Sequence, residues 1–437
     1  MQRTQLASLI AGICLAIDAQ AMTLLEAFNA AQAYDSQLAS ARGARDAAQE
    51  KSTQGFAGLL PNVSATANIN RISAHVMTTG IDRTIDYTQE VYQLQLRQPI
   101  YNRNNFDVYE QGKLQVTAGE ILYEQARNDL ALRVAQAYFD VLAAQDVISF
   151  IRAQKIAITE QLESAKRNFE VGTATITDTH EAQARFDLAI AQEIAAQNDL
   201  EVKRNAFAVV TGQLPPELKS LRAGVKLSSP EPSSMDKWVQ SAEAGNFGVV
   251  AQALVAEIAK LEIRRNRSGH LPTLDAVAVQ SQRKDLTLTS PTTTNTSALG
   301  LQLTIPLFAG FLTTSRVREA IALENQARAD LDTAKRTAMQ NASAAYLGVQ
   351  SGLSQIRALE AAEVSSNSAL ESNKLGYDVG VRINIDVLNA QQQVFSTKRD
   401  LSKARYDTIV NGLKLKAAAG ALSVADLEEV NGLLGSQ

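Results

Sequence analysis

Leu299-Gly300-Leu301-Gln302-Leu303-Thr304-Ile305-Pro306-Leu307-Phe308 alternates apolar with small or polar side chains as far as a proline. Successive strand side chains point to opposite faces, so this stretch reads as a strand with one apolar and one polar face. Tyr92-Gln93-Leu94-Gln95-Leu96-Arg97-Gln98-Pro99-Ile100-Tyr101 has the same form in the first half of the chain. Two more candidates precede these. Val63, Ala65, Ala67 and Ile69 alternate with Ser64, Thr66, Asn68 and Asn70, and Thr273 to Gln282 alternates less cleanly because Asp275 interrupts it. The joining segments 75–85 and 286–296 are polar and Thr-rich and read as external hairpin loops. A barrel wall needs this pattern, apolar outside and polar inside, yet the smallest closed membrane barrels have about 8 strands. Four strands therefore form either a soluble sheet or one share of a barrel built from several chains.

The prolines organise the rest. They fall at Pro61, Pro99, Pro215, Pro216, Pro230, Pro232, Pro272, Pro291 and Pro306. The stretches 22–60, 100–214, 233–271 and 307–437 lack them and are rich in Ala, Leu, Gln, Glu and Arg. A proline inside a helix costs about 3 kcal/mol, so these stretches read as helices. Leu122, Ala126, Leu130, Val134, Tyr138 and Leu142 recur every fourth residue, and Leu132, Val141, Val147 and Ile151 widen the stripe. A helix of ~70 residues is ~105 Å long, the scale of a coiled-coil rod. The broad stripe suits contact with helices on both sides, as in a closed helical wall.

The two halves match. Leu60-Pro61 parallels Leu271-Pro272, and Gln98-Pro99-Ile100-Tyr101 parallels Ile305-Pro306-Leu307-Phe308. Glu170-Val171-Gly172 with Asp378-Val379-Gly380, Asp178 with Asp386, Ala182-Gln183 with Ala390-Gln391, Tyr138 with Tyr346 and Val141 with Val349 all share an offset of 208. One offset at separated places indicates an internal duplication. The expected organisation is a leader over 1–21, a first repeat over 22–212, a linker over 213–234 and a second repeat over 235–437. Strands lie near 62–98 and 273–306, helices near 101–212 and 308–420, and a C-terminal segment follows.

Gly172 and Gly380 break the helical pattern at matched places and are followed by Thr173 to Asp178 and by Val381 to Asp386. Glycine permits positive φ at a helix end, and Thr177 or Asp178 can cap the next helix. Each is a helix–turn–helix tip, and each keeps an apolar Val-Gly.

At the other end, Arg3, the apolar run Leu6 to Ala16 and Ala19-Gln20-Ala21 read as a signal peptide. Cys14 lies inside it, preceded by Ile13, which does not suit lipidation. No run of 18 apolar residues follows, so no membrane-spanning helix is expected; a β-barrel remains possible for an exported chain. Net charge is −4, which gives no case for nucleic-acid binding. One Cys and three His leave little material for a metal centre, a thiol nucleophile or a disulfide framework, and no hydrolase or P-loop motif is present.

Leu59-Leu60-Pro61, His270-Leu271-Pro272-Thr273-Leu274, Phe169 to Asp178, and Gly376-Tyr377-Asp378-Val379-Gly380 through Asp386-Val387-Leu388 together resemble the outer-membrane efflux protein family, the TolC-type exit channels of type I secretion and drug efflux. The resemblance covers the whole chain after the leader. It implies a homotrimer in which each chain gives four strands to a shared twelve-stranded transmembrane β-barrel. A long periplasmic coiled-coil α-helical barrel forms the tunnel, and a mixed equatorial collar holds the linker and the C-terminal segment. It also implies a periplasmic gate in which Arg382 contacts Thr177 and Asp178 of a neighbour and Tyr377 bonds Asp178. The constriction carries Asp386 and then Asn389, so its second ring is uncharged and cation binding is weaker than with two aspartate rings. The tips Val171-Gly172 and Val379-Gly380 would dock a periplasmic adaptor, which links to an inner-membrane ABC or other efflux transporter. Outer-membrane lipid is the remaining partner, and no cofactor, metal or catalytic residue is implied. The competing reading, a secreted coiled-coil structural or adhesion protein, needs neither alternating strands nor matched halves.

Overall fold

Helix signals and proline breaks convert directly into elements in the computed structural model, which describes residues 21–215, 217–222, 224–287 and 290–435. The expected leader lies outside the described residues. In chain order the elements are α1 (Leu24–Tyr34), α2 (Ser36–Ala57), β1 (Asn62–Thr78), β2 (Ile81–Tyr101), α3 (Arg103–Glu170), α4 (Ile176–Thr211), α5 (Met235–Gly245), α6 (Phe247–Arg267), β3 (Thr273–Leu286), β4 (Thr292–Thr304), α7 (Leu312–Asp378), α8 (Asn384–Ala418) and α9 (Val424–Leu433). Two compact units result, and each draws on both halves of the chain.

The first unit comprises Ser40–Gln125 and Phe247–Thr337. Its centre is an antiparallel sheet in the order β1-β2-β3-β4. Pairing puts Val63 opposite Leu96, Leu96 opposite Ala278 and Ala278 opposite Leu299. One face thus collects Val63, Ala65, Ala67, Ile69, Tyr92, Leu94, Leu96, Leu274, Ala276, Ala278, Leu299, Leu301 and Leu303. The other collects Ser64, Thr66, Asn68, Gln93, Gln95, Arg97, Asp275 and Gln302, together with Val91, Val277 and Val279. Asp275 does not interrupt the pattern, because it sits on the polar face, buried and ion-paired with Arg97 at 2.5 Å. The expected loop 75–85 is corrected to a two-residue turn. The ladder runs to Thr78 opposite Ile81, and Gly80 supplies φ +87. The expected loop 286–296 likewise shrinks, since β3 reaches Leu286 and β4 starts at Thr292. Polar sequence there reflects solvated strand, not absence of strand.

Beside the sheet, Asp107 is fully buried between Arg103 at 3.0 Å and Arg264 at 2.7 Å. Gln111 donates to the Ile258 carbonyl and to Glu262. Gly112 lets α2 and α3 touch: a Cβ there would lie 2.5 Å from the Lys51 carbonyl oxygen.

The second unit comprises the segment ending at Ala39, Ala126–Asn246 and Ala338–Gln437. Leu130, Val134, Tyr138 and Leu142 are buried as their spacing predicts, whereas Leu122 is exposed. A four-residue step drifts around a helix of 3.6 residues per turn, so such a stripe cannot keep one heading. By length and composition alone α3 resembles a membrane span, although it holds no run of 18 apolar residues. Its apolar side chains here are the core of this unit, packed with Phe207 of α4 and Tyr406 of α8. The buried Tyr138 hydroxyl lies between the carbonyls of Met22 at 2.9 Å and Lys219 at 3.0 Å, which share its one proton, and burial pushes its pKa well above the ordinary tyrosine value. Tyr346 donates to the Ser233 carbonyl. Short bridges join Met22 with Leu218 and Leu221 with Leu434, and Lys416 reaches Asp426 at 2.7 Å, which fastens α9 to α8.

Candidate channel entrance and docking tips

Both tips lie in the second unit, and their turns make matching main-chain bonds. After α3, the amide of Gly172 donates to Phe169, and those of Thr173 and Ala174 donate to Asn168. After α7, the amide of Gly380 donates to Tyr377, and those of Val381 and Arg382 donate to Gly376. Gly172 has φ +76 and Gly380 φ +80, the left-handed conformation that ends a helix without Cβ strain. Neither would bring an added Cβ within 4 Å of another residue. Val171 and Val379 beside them are 72% and 65% exposed, so each tip presents an apolar side chain next to bare backbone.

The cap of α4 is Thr175, not Thr177 or Asp178. Its hydroxyl accepts from the Asp178 amide at 3.3 Å, and its amide and hydroxyl donate to the Asp178 carboxylate at 3.0 and 2.7 Å. Sequence reading placed the cap two or three residues late because Thr175, Thr177 and Asp178 all suit the role. The Asp178 carboxylate is thereby engaged in its own turn, while Thr177 is exposed. Tyr377 meets Asn168, whose amide nitrogen donates to its hydroxyl at 3.1 Å.

In α8 the cap position is Ile383, which offers no side-chain bond, and Asp386 occupies the third helical position. The Arg382 guanidinium lies 3.7 Å from the Asp386 carboxylate within the chain. Gly376 makes room for this arginine, since a Cβ there would sit 2.6 Å from Arg382 Cγ. Asn384, 1% exposed, accepts from Gln161 at 2.5 Å and donates to the Asp178 carbonyl at 3.3 Å. Arg185 of α4 donates to Asn389 at 3.0 Å and to Gln392 at 2.7 Å. Beneath these bonds Ile158, Leu162, Ala165, Ala182, Ala189 and Leu388 pack α3, α4 and α8 together. Further along, hydrogen bonds from Lys155 and Arg152 of α3 hold the Glu193 carboxyl of α4 below the usual carboxylate range.

The structure therefore brings Asp178, Tyr377, Arg382, Asp386 and Asn389 to one end of the unit. It adds Asn168, Asn384, Arg185 and Gly376, which sequence reading missed. The signal for Asn384 and Arg185 lay in the mismatch between halves: at the offset of 208 they face Ile176 and Gln393.

A profile of the Outer membrane efflux protein family matches residues 27–213 and 238–421. The outer membrane protein TolC of Vibrio cholerae is 34% identical over 418 residues, covering 94% of this chain and 93% of that protein. The alkaline protease secretion protein AprF of Pseudomonas aeruginosa is 32% identical, covering 94% of this chain and 87% of that protein. Among solved structures, the CmeC outer membrane channel of Campylobacter jejuni superposes with a TM-score of 0.80 at 18% identity, covering 96% of this chain and 91% of that one. The outer membrane protein VceC of Vibrio cholerae gives 0.79 at 18% identity, covering 91% and 96%. These last two share the fold, and the sequence matches across both halves go further: the chain belongs to the outer membrane efflux protein family.

Proposed function

We propose that this protein is an outer-membrane exit channel, a conduit and not an enzyme, in which three copies close one barrel. The sheet carries the argument. Among the described residues its edge strands β1 and β4 have no outer partners, and open edges of this length are normally paired or covered. Four strands from each of three copies give twelve, an even-numbered antiparallel barrel within the known range. The exposed apolar face supports a lipid contact. Val63 to Ile69 covers about 20 Å along the strand at ~3.3 Å per step, part of the ~25 Å apolar band of such barrels. Beyond Ile69 that face turns polar, with Arg71, Ser73 and His75, while Ile72, Ala74 and Val76 fall on the opposite face. The switch marks where the membrane ends and the outer hairpins begin.

Matched tips, matched glycine conformations and the paired roles of Tyr138 and Tyr346 support an internal duplication, so that three chains build a wall of six similar units. The first repeat then covers 22–212 and the second 235–437, with the linker 213–234, α5 and α9 forming the collar. The tips at Val171-Gly172 and Val379-Gly380 dock a periplasmic adaptor that connects to an inner-membrane ABC or other efflux transporter. Asp178, Thr177, Tyr377 and Arg382 form the gate, and Asp386 and Asn389 the constriction. Membership of the efflux family and the exposed apolar sheet face together set aside the coiled-coil adhesion reading. Purified protein added to planar bilayers should form ion-conducting channels, and absence of conductance would contradict the reading.

A further inference from the structure

We propose that Arg185 is a selectivity residue of the entrance, placing a guanidinium against the Asn389 ring so that the constriction repels polyvalent cations instead of gathering them. The inference rests on the reading that Asp386 and Asn389 face the pore axis.

Arg185 reaches from α4 to α8 and bridges two acceptors one turn apart, Asn389 at 3.0 Å and Gln392 at 2.7 Å. A planar guanidinium with parallel donors suits such a pair and holds its own position. Both acceptors are neutral carboxamides, so these bonds orient the charge without cancelling it. The charge count near the start of α8 then differs from the count that Asp386 alone suggests. From Asn384 to Phe395 the helix contributes one carboxylate, Asp386. Arg382 stands 3.7 Å from it, and Arg185 stands beside the next turn. At the level of Asn389 each chain thus presents a guanidinium and no carboxylate of α8, so a trivalent cation drawn toward the Asp386 ring meets a layer of positive charge one turn away.

One consequence is specific to this arrangement. An aspartate introduced at 389 would not create a second anionic ring, because the Arg185 donor already in place would pair with it. Only removal of Arg185 releases that charge to the pore.

The test is block of the full-length channel in planar bilayers by La3+ added at the helical end. Arg185→Gln should lower the half-blocking concentration roughly tenfold, the effect of about 1.4 kcal/mol. Asn389→Asp alone should change it less than about threefold, and the double variant should exceed Arg185→Gln by a further tenfold or so. Arg185→Lys, which keeps the charge and loses the fork, should stay near wild type. If Asn389→Asp alone strengthens block as much as the double variant does, Arg185 has no part in selectivity and the proposal fails. Asp386→Asn in the Arg185→Gln background separates the layers. Loss of block there upholds the constriction reading, and unchanged block removes both that reading and the proposal built on it.

Discussion

The Asn384 side chain donates to the main-chain carbonyl of Asp178 at 3.3 Å, across 206 residues of sequence. It also accepts from Gln161, so a single buried carboxamide ties the first turn of α8 to α3 and α4. A buried polar group with its partners made is specific in position, because separating it strands donors and acceptors away from water. Any outward movement of the start of α8 must break this contact first.

Asn384→Ala should therefore loosen the tip. Leaving Gln161 and the Asp178 carbonyl without this partner costs about 1–3 kcal/mol. Single-channel conductance should rise and the apparent melting temperature should fall. A variant with wild-type conductance and stability would show that the contact carries no share of closure.

The proposed gate residues make a second case. The Arg382–Asp386 pair is partly exposed and long, so it contributes ~0–1 kcal/mol. The Asn168–Tyr377 bond adds about 0.5–1.5 kcal/mol. Closure held by terms this small can be shifted by a partner that binds the open state better. Arg382→Ser with Tyr377→Phe should raise conductance without partner proteins. Unchanged conductance would mean that packing under Leu388, not polar contact, holds the tip shut.

The tip glycines separate strain from docking. A side chain at φ +76 or +80 costs about 1–2 kcal/mol for most residues and less for asparagine. Gly172→Asn and Gly380→Asn should fold and retain most export. Gly172→Glu and Gly380→Glu should assemble and insert normally yet export nothing, because a charged side chain blocks close approach to bare backbone. Export by both glutamate variants would remove the tips from the docking surface.

Acid should release the C-terminal helix. Burial disfavours the charged Asp426, but bonds from Lys416 and from the Ser423 amide and hydroxyl outweigh it and hold its pKa below the ordinary 3.8. Burial likewise opposes the charged Lys416, and Asp426 and Glu429 outweigh it to raise that pKa. A depressed carboxylate contributes stability above its unfolded value and loses it as pH falls through its folded value. Hydrogen-exchange protection of α9 should thus fall as pH drops below about 3.8, and Asp426→Asn should abolish that dependence. The same acid limb in Asp426→Asn would place its origin elsewhere.

Much of this architecture was legible because it is periodic. Alternation at Leu299–Leu303 and Tyr92–Leu96 gave strand faces that the ladder reproduces, and Val-Gly at 171 and 379 gave the turns. Hairpin ends were misread as loops because Thr and Asp signal solvent as readily as they signal a turn, and only Gly80 marked the true bend. The cap at Thr175 was hidden among neighbours with equal propensity. Asn384 and Arg185 broke the match between the halves, but their roles were not legible for another reason: their partners lie more than 200 residues away, and no local pattern encodes a contact that the assembled helices create.

Among the described residues β1 and β4 keep unpaired edges, and only a sheet shared between copies closes them. The most direct measurement is the native mass of the detergent-solubilised, processed protein. We predict a single species of three chains that requires detergent for solubility. A monodisperse monomer that stays soluble without detergent would contradict the shared barrel and the channel built on it.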